Sequence, residues 1–128
     1  MTNRIVIAGA LGAVGRAALE HFDSLEGWEV IALSRRAPDF ANGATWVSVD
    51  LRDAADCRAK LGALKGVTHV AYAAVYEMPD VARGWLTREH ADVNQAMLQN
   101  FLPPLAAASP NLRHLSLLQG TKAYGGHL

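Results

Sequence analysis

The sequence predicts a three-layer, doubly wound α/β fold whose parallel sheet runs in the strand order 3-2-1-4-5. Short apolar runs alternate with longer stretches of helical spacing, in the order strand, helix, strand, strand, helix, strand, helix, strand. The first run is apolar without interruption, the pattern of a strand covered on both faces. Crossovers between parallel strands are right-handed, which leaves little choice of strand order. The 128 residues suit one domain, residues 1–128, and the apolar content of 51% against 19% charged residues excludes a disordered chain.

Taken in order, Arg4-Ile5-Val6-Ile7-Ala8 forms the first strand and stops at Gly9. Helical spacing follows from Gly12 to about Phe22, with Val14, Ala17, Ala18 and Phe22 as its apolar positions. Glu29-Val30-Ile31-Ala32-Leu33 is the second strand; it ends at Ser34-Arg35-Arg36, and Ala37-Pro38 forces a loop. Thr45-Trp46-Val47-Ser48-Val49 is the third strand, ending at Asp50. Asp53 caps a helix reaching about Leu64, with Gly66 near its stop. The fourth strand is Thr68-His69-Val70-Ala71-Tyr72-Ala73, followed by a loop over residues 76–84. A long helix from Thr87 to about Ala108 must kink or end at Pro103-Pro104, and residues 112–118 form the fifth strand.

Gly9-Ala10-Leu11-Gly12-Ala13-Val14-Gly15 carries glycines at G-x-x-G-x-x-G spacing, between a buried strand and a helix. That context marks a dinucleotide-binding turn of the Rossmann type. Gly9 permits the tight exit from the strand, Gly12 leaves room for a pyrophosphate, and Gly15 lets the helix pack closely. Leu11, Ala13 and Val14 complete the turn. Backbone N–H groups at a helix N-terminus favour an anion there. A glycine-rich turn without a ligand is the bland alternative.

An acidic residue at the end of the second strand selects NAD by accepting hydrogen bonds from the ribose 2′-hydroxyl. Ser34, Arg35 and Arg36 stand there instead, a set that suits the 2′-phosphate of NADP (NADPH) and disfavours NAD. Asp50 and Leu51 are placed to meet the adenine, although Asp50 capping the next turn explains the same residue. Ala73 and Ala74 are small where the chain passes the cofactor, and ordinary packing accounts for them equally well.

Twelve basic and twelve acidic residues give zero formal charge, which argues against nucleic acid or an anionic membrane as partner. The lone Cys57, with no signal-peptide pattern and no membrane-length apolar run, leads to the expectation of a cytoplasmic protein acting on a small molecule. His21, His69, His90, His114 and His127 lack metal-ligand spacing, so no metal is expected. Ser116 has no nucleophile elbow around it. Trp28, Trp46 and Trp85 read as packing residues. Asn94 bridges backbone groups near the site or serves the structure alone.

The sequence resembles the atypical or extended short-chain dehydrogenase/reductases, and within them the progesterone 5β-reductase and iridoid synthase-like group with its epimerase/dehydratase-like bacterial relatives. The resemblance rests on Gly9 to Gly15, Leu33-Ser34-Arg35-Arg36, Val49-Asp50-Leu51-Arg52-Asp53, Tyr72-Ala73-Ala74, Asn94-Gln95-Ala96-Met97-Leu98 and Gly120-Thr121-Lys122-Ala123-Tyr124-Gly125. It implies that Lys122 is catalytic, lowering the pKa of a tyrosine further along than Leu128, and that Tyr124 is not that tyrosine. The chain therefore reads as the cofactor half of an NADPH-dependent reductase of enones or ketones, inactive alone. Plant members read L-Q-T-G-T-K where this chain has Leu117-Leu118-Gln119-Gly120-Thr121-Lys122, so the substrate is not carried over. Two competing readings are a sugar-nucleotide epimerase or dehydratase using NAD, and a dinucleotide sensor without chemistry. Self-association, as a homodimer or along an exposed fifth strand, is a further expectation.

Overall fold

A computed structural model describes residues 3–40, 42–76 and 88–118. The elements are β1 (Asn3–Ala8), α1 (Ala13–Asp23), β2 (Trp28–Ser34), β3 (Thr45–Ser48), α2 (Ala54–Leu61), β4 (His69–Tyr72), α3 (Arg88–Ala108) and β5 (His114–Leu117). All strand pairs are parallel, and the order β3-β2-β1-β4-β5 is the one expected.

The uninterrupted apolar run of β1 is explained by the two cores it separates. Ile5 and Ile7 point to the α1 side with Val30, Ala32 and Leu19. Val6 and Ala8 point to the α2 and α3 side with Ile31, Leu33, Val70, Phe101 and Leu105. Alternate residues from Ile5 to Ala8 thus enter different layers, so none of these four positions is free to be polar, whereas Asn3 and Arg4 at the start of the strand are only partly buried.

α1 buries a different stripe from the expected one. Gly15 and Leu19 are buried with Ala18 and Phe22 packed beside them, while Val14 is 56% exposed and Ala17 is exposed. The rotation leaves Val14 on the side that faces the glycine turn. Asp53 caps α2 as expected, its Oδ1 accepting from Ala55 N at 3.0 Å and Asp56 N at 3.2 Å. The helix stops at Leu61, short of Leu64. Past Gly62 the N–H groups of Ala63 and Leu64 reach back only three residues, to Lys60 and Leu61, and Gly66 turns the chain with φ +75°.

Pro103 and Pro104 do not end α3, which runs on to Ala108. Met97, Phe101 and Leu105 are buried at successive four-residue steps, so one apolar face anchors the helix on both sides of the prolines. Burying a side chain of Phe or Leu size stabilises by about 1.5–3 kcal/mol each. Two such anchors offset the cost of about 3 kcal/mol for a mid-helix proline. Ser109, buried just beyond the helix, ties α3 to the α2–β4 connection: its Oγ accepts from Val67 N at 3.0 Å and donates to Leu64 O at 2.8 Å.

Trp28 packs against Phe22 and His69, with ring centroids 4.7 Å and 4.8 Å away. The expected Thr87 cap, Trp85, His127, most of the 76–84 loop, Tyr124 and Lys122 lie outside the described residues. No helix among the described residues is long and apolar enough to cross a membrane.

Candidate dinucleotide site

The carboxyl ends of β1, β2, β3 and β4 open onto one cleft of about 720 Å³. It lies where the strand order reverses beside β1, the place at which open α/β sheets bind ligands. Gly9, Leu11, Gly12, Ala13, Val14, Ser34, Arg35, Arg36, Asp50, Leu51, Ala73 and Ala74 all line it. Residues from four separate stretches of chain are thus brought to one surface. A groove of about 760 Å³ between α2 and α3, lined by Arg58, Lys65 and Pro103 among others, gathers none of them.

The three motif glycines differ in what holds them. Gly9 has φ +78°, and a Cβ there would lie 2.7 Å from the backbone of Ala73 and Ala74. Ala73 and Ala74 therefore owe their position to the close pass of the turn itself. Gly15 is buried behind the turn and does not reach the cleft; its Cβ would sit 1.9 Å from Gly9 O. The close packing expected of it is against the turn. Gly12 has an ordinary backbone (φ −73°, ψ 168°), and a Cβ there would meet only Gly9 O, at 3.5 Å. Nothing within the described residues requires glycine at that position. Gly12 is also the N-cap of α1, no side chain caps the helix, and its first turn holds no acidic residue.

At the end of β2, Arg35 and Arg36 are exposed, and neither forms an ion pair among the described residues. Ser34 Oγ donates its single proton to Arg36 O at 2.5 Å and accepts from Trp46 Nε1 at 3.0 Å. Its hydroxyl shapes the turn beneath the arginines. Asp50 uses Oδ1 to accept from Arg52 N at 3.0 Å and Nε at 3.3 Å, so it does cap its own turn. Partial burial pushes the Asp50 carboxyl up, but hydrogen bonds and charge from Arg52, with the more distant Arg35, outweigh it and hold the group below its usual range.

Arg52, Val75, Tyr76 and Met97 also line the cleft; none is a site residue expected from the sequence, although Arg52 and Met97 fall in segments that carry the resemblance. The Arg52 guanidinium lies 5.4 Å from the Tyr76 ring centroid, bridging the segments that follow β3 and β4. Asn94 holds the Tyr76 peptide from both sides: Oδ1 accepts from Tyr76 N at 2.7 Å, and Nδ2 donates to Tyr76 O at 3.1 Å. The bridging expected of Asn94 is present. Cys57 is buried below the site, where burial, then Asp56, Asp53 and Asp50, push its thiol up to about 11. It is no nucleophile at neutral pH. Among the described residues no group of His, Cys, Asp and Glu could hold a metal ion.

Comparison with known proteins agrees with this geometry. The chain is 34% identical over 132 residues to 3-oxo-Delta(4,5)-steroid 5-beta-reductase of Arabidopsis thaliana, an alignment covering 94% of this chain and 31% of that protein. It is 33% identical over 132 residues to an (S)-8-oxocitronellyl enol synthase of Nepeta cataria, again covering 94% and 31%. The chain spans about a third of the length of these curated relatives. Among solved structures, an NAD-bound short-chain dehydrogenase/reductase superfamily protein of Agrobacterium tumefaciens superposes with TM-score 0.72 at 20% identity, covering 95% of this chain and 34% of the other. The UDP-N-acetylglucosamine 4-epimerase of Bacillus cereus gives TM-score 0.64 at 18% identity, with 89% and 37% covered. Likeness at that identity speaks for the fold alone. Residues 5–125 match the NAD dependent epimerase/dehydratase family, and with its sheet order and glycine turn the chain belongs to that family as an NAD(P)-binding Rossmann domain.

Proposed function

We propose that this domain binds NADPH in preference to NADH, and that it serves an oxidoreductase reducing an enone carbon–carbon double bond or a ketone. The observation that carries the cofactor choice is the end of β2, where two exposed guanidiniums, in no ion pair among the described residues, rim the cleft and Ser34, Arg35 and Arg36 stand in the place of an acidic residue. A 2′-phosphate supplies the anion that two such groups lack. The residues fit the rest of a dinucleotide. Gly12 leaves open the space a Cβ would fill, and the uncapped start of α1 presents N–H groups to a pyrophosphate. Leu51 and Asp50 would meet the adenine, and Ala73 and Ala74 leave room beside Gly9.

The nicotinamide, when bound, supplies the reducing equivalent. The protein's part is to orient it, to exclude water and to hold a proton for the substrate oxygen. By resemblance, the Lys122 ammonium would lower the pKa of a tyrosine and so ready it for that proton; Lys122 itself lies outside the described residues. The reductase reading draws on the names of the two relatives, whose own substrates stay with them. An NAD-dependent epimerase would call for a carboxylate where Ser34, Arg35 and Arg36 stand.

Calorimetric titration with both cofactors tests the proposal. Charge-assisted hydrogen bonds of about 1.5–3 kcal/mol predict NADPH binding about 10- to 100-fold tighter than NADH. Arg35→Asp should erase or invert that preference. Equal affinities in the unmutated protein would end the cofactor reading, and the activity reading is checked by following NADPH oxidation against a panel of enones and ketones.

A further inference from the structure

Arg35 and Arg36 extend from the end of β2, and their backbone is braced by Ser34 of β2 together with Ser48 and Trp46 of the neighbouring edge strand β3. Three consecutive carbonyls are engaged there. Ser34 O accepts from Val49 N at 3.1 Å, Arg35 O from Ser48 Oγ at 3.1 Å, and Arg36 O from Ser34 Oγ at 2.5 Å. The last of these depends on Trp46, whose Nε1 donates to Ser34 Oγ at 3.0 Å and so turns the serine proton towards Arg36. The register explains the reach: Ser48 pairs with Ser34, and Trp46 pairs with Ala32, one diagonal step below the serine.

Among the described residues, the hydrogen bond to Ser34 is the one polar contact of the Trp46 ring. Trp46 is 41% exposed, and neither apolar cluster includes it. A bare tryptophan on an edge strand is costly to solubility, whereas its N–H is fully used. A long arginine side chain loses less freedom on binding when the backbone beneath it is already fixed.

We infer that Trp46 and Ser48 are positioning residues for cofactor selection: through the carbonyls of Arg35 and Arg36 they hold both guanidiniums where a 2′-phosphate would bind. The inference rests on the NADPH reading of the site. Neither residue lines the cleft, so on this reading both act only through the arginines, on the phosphate that distinguishes NADPH from NADH.

The test is a set of NADPH and NADH titrations on the protein, Ser48→Ala, Trp46→Phe, Ser48→Thr and Arg35→Ala. Trp46→Phe keeps the ring and removes the N–H, and Ser48→Thr keeps the hydroxyl on an edge strand that accepts β-branched residues. Loss of one hydrogen bond predicts NADPH affinity lowered about 3- to 10-fold in Ser48→Ala and in Trp46→Phe. NADH affinity should stay within about twofold by the same reasoning, and Ser48→Thr should restore the preference. If both deletions keep the NADPH:NADH ratio while Arg35→Ala collapses it, the inference fails and the NADPH reading stands. Equal weakening of both cofactors would make the pair general supports and also overturn the inference. An unmutated protein without any preference would overturn both readings together.

Discussion

A methyl group on Gly15 would lie 1.9 Å from the Gly9 carbonyl oxygen, whereas one on Gly12 meets that oxygen only at 3.5 Å. The first contact is impossible without moving the turn; the second is ordinary. Gly15→Ala should therefore destabilise the domain by about 1–3 kcal/mol, the usual cost of overpacking. Gly12→Val should change stability by no more than about 1 kcal/mol, the scale of a poor N-cap, while raising the dinucleotide Kd at least about tenfold. Thermal melts paired with cofactor titration decide it, and retained binding in Gly12→Val would show that the turn holds no pyrophosphate. His69 supplies a second residue-scale prediction. Burial, then Arg113, then His114 lower its pKa below 6.5. The unfolded chain thus takes up this proton first, so the contribution is complete above about pH 6.5 and drains away as pH falls through the lowered folded value. The melting temperature of the unmutated protein should fall more steeply between pH 7 and 5 than that of His69→Gln, and parallel profiles would contradict this. The motif glycines were legible because their spacing is local. Arg52 was not, since its pairing with Asp50 is local but its place over Tyr76 exists only once β3 and β4 lie in one sheet.

Elements were legible where a period or a cap marks them. The first strand shows in an uninterrupted apolar run, and Asp53 caps α2 where a capping residue was read. Two of the misjudged points, in α1 and α3, share one cause, which is that distant packing outweighs a local rule. α1 turns Val14 towards the cleft because Gly15 must slip beneath Gly9. α3 passes Pro103-Pro104 because Phe101 and Leu105 are locked into the core on either side. Beyond the prolines the helix is also held by Ser109, whose hydroxyl satisfies Val67 N and Leu64 O. Ser109→Ala removes the partner of both groups while adding no bulk. Leaving two such groups unsatisfied should cost about 1–3 kcal/mol, measured as a shift in the denaturant midpoint at constant slope. Ser109→Thr, which keeps the hydroxyl, should retain more of that stability than the alanine variant despite the tight fit. A midpoint equal to the unmutated one in Ser109→Ala would mean that water replaces the hydroxyl at no cost.

At the scale of the molecule, the cleft joins segments that the sheet alone holds together: the turn after β1, the arginines after β2, Asp50-Leu51 after β3 and Ala73-Ala74 after β4. A ligand spanning all four binds only the folded arrangement, so its free energy adds to the stability of the whole domain rather than to one loop. The gain is about 2.7 kcal/mol at a ligand concentration of 100 Kd. For a domain of this size each kcal/mol raises the melting temperature by about 4 °C, so saturating NADPH should give a shift of about 10 °C. If NADH binds about tenfold more weakly, the same concentration reaches only about 10 Kd and gives about half that shift. The melt therefore reads affinity and preference together, without needing a substrate. On the proposed reading Gly12→Val should lose both shifts, since the pyrophosphate seat would be common to the two cofactors. On the same reading Arg35→Asp should lose only the difference between them, because the 2′-phosphate is all that Arg35 would address. Equal shifts for NADPH and NADH in the unmutated protein would leave the arginines after β2 without a selective role, even with the fold and the glycine turn intact.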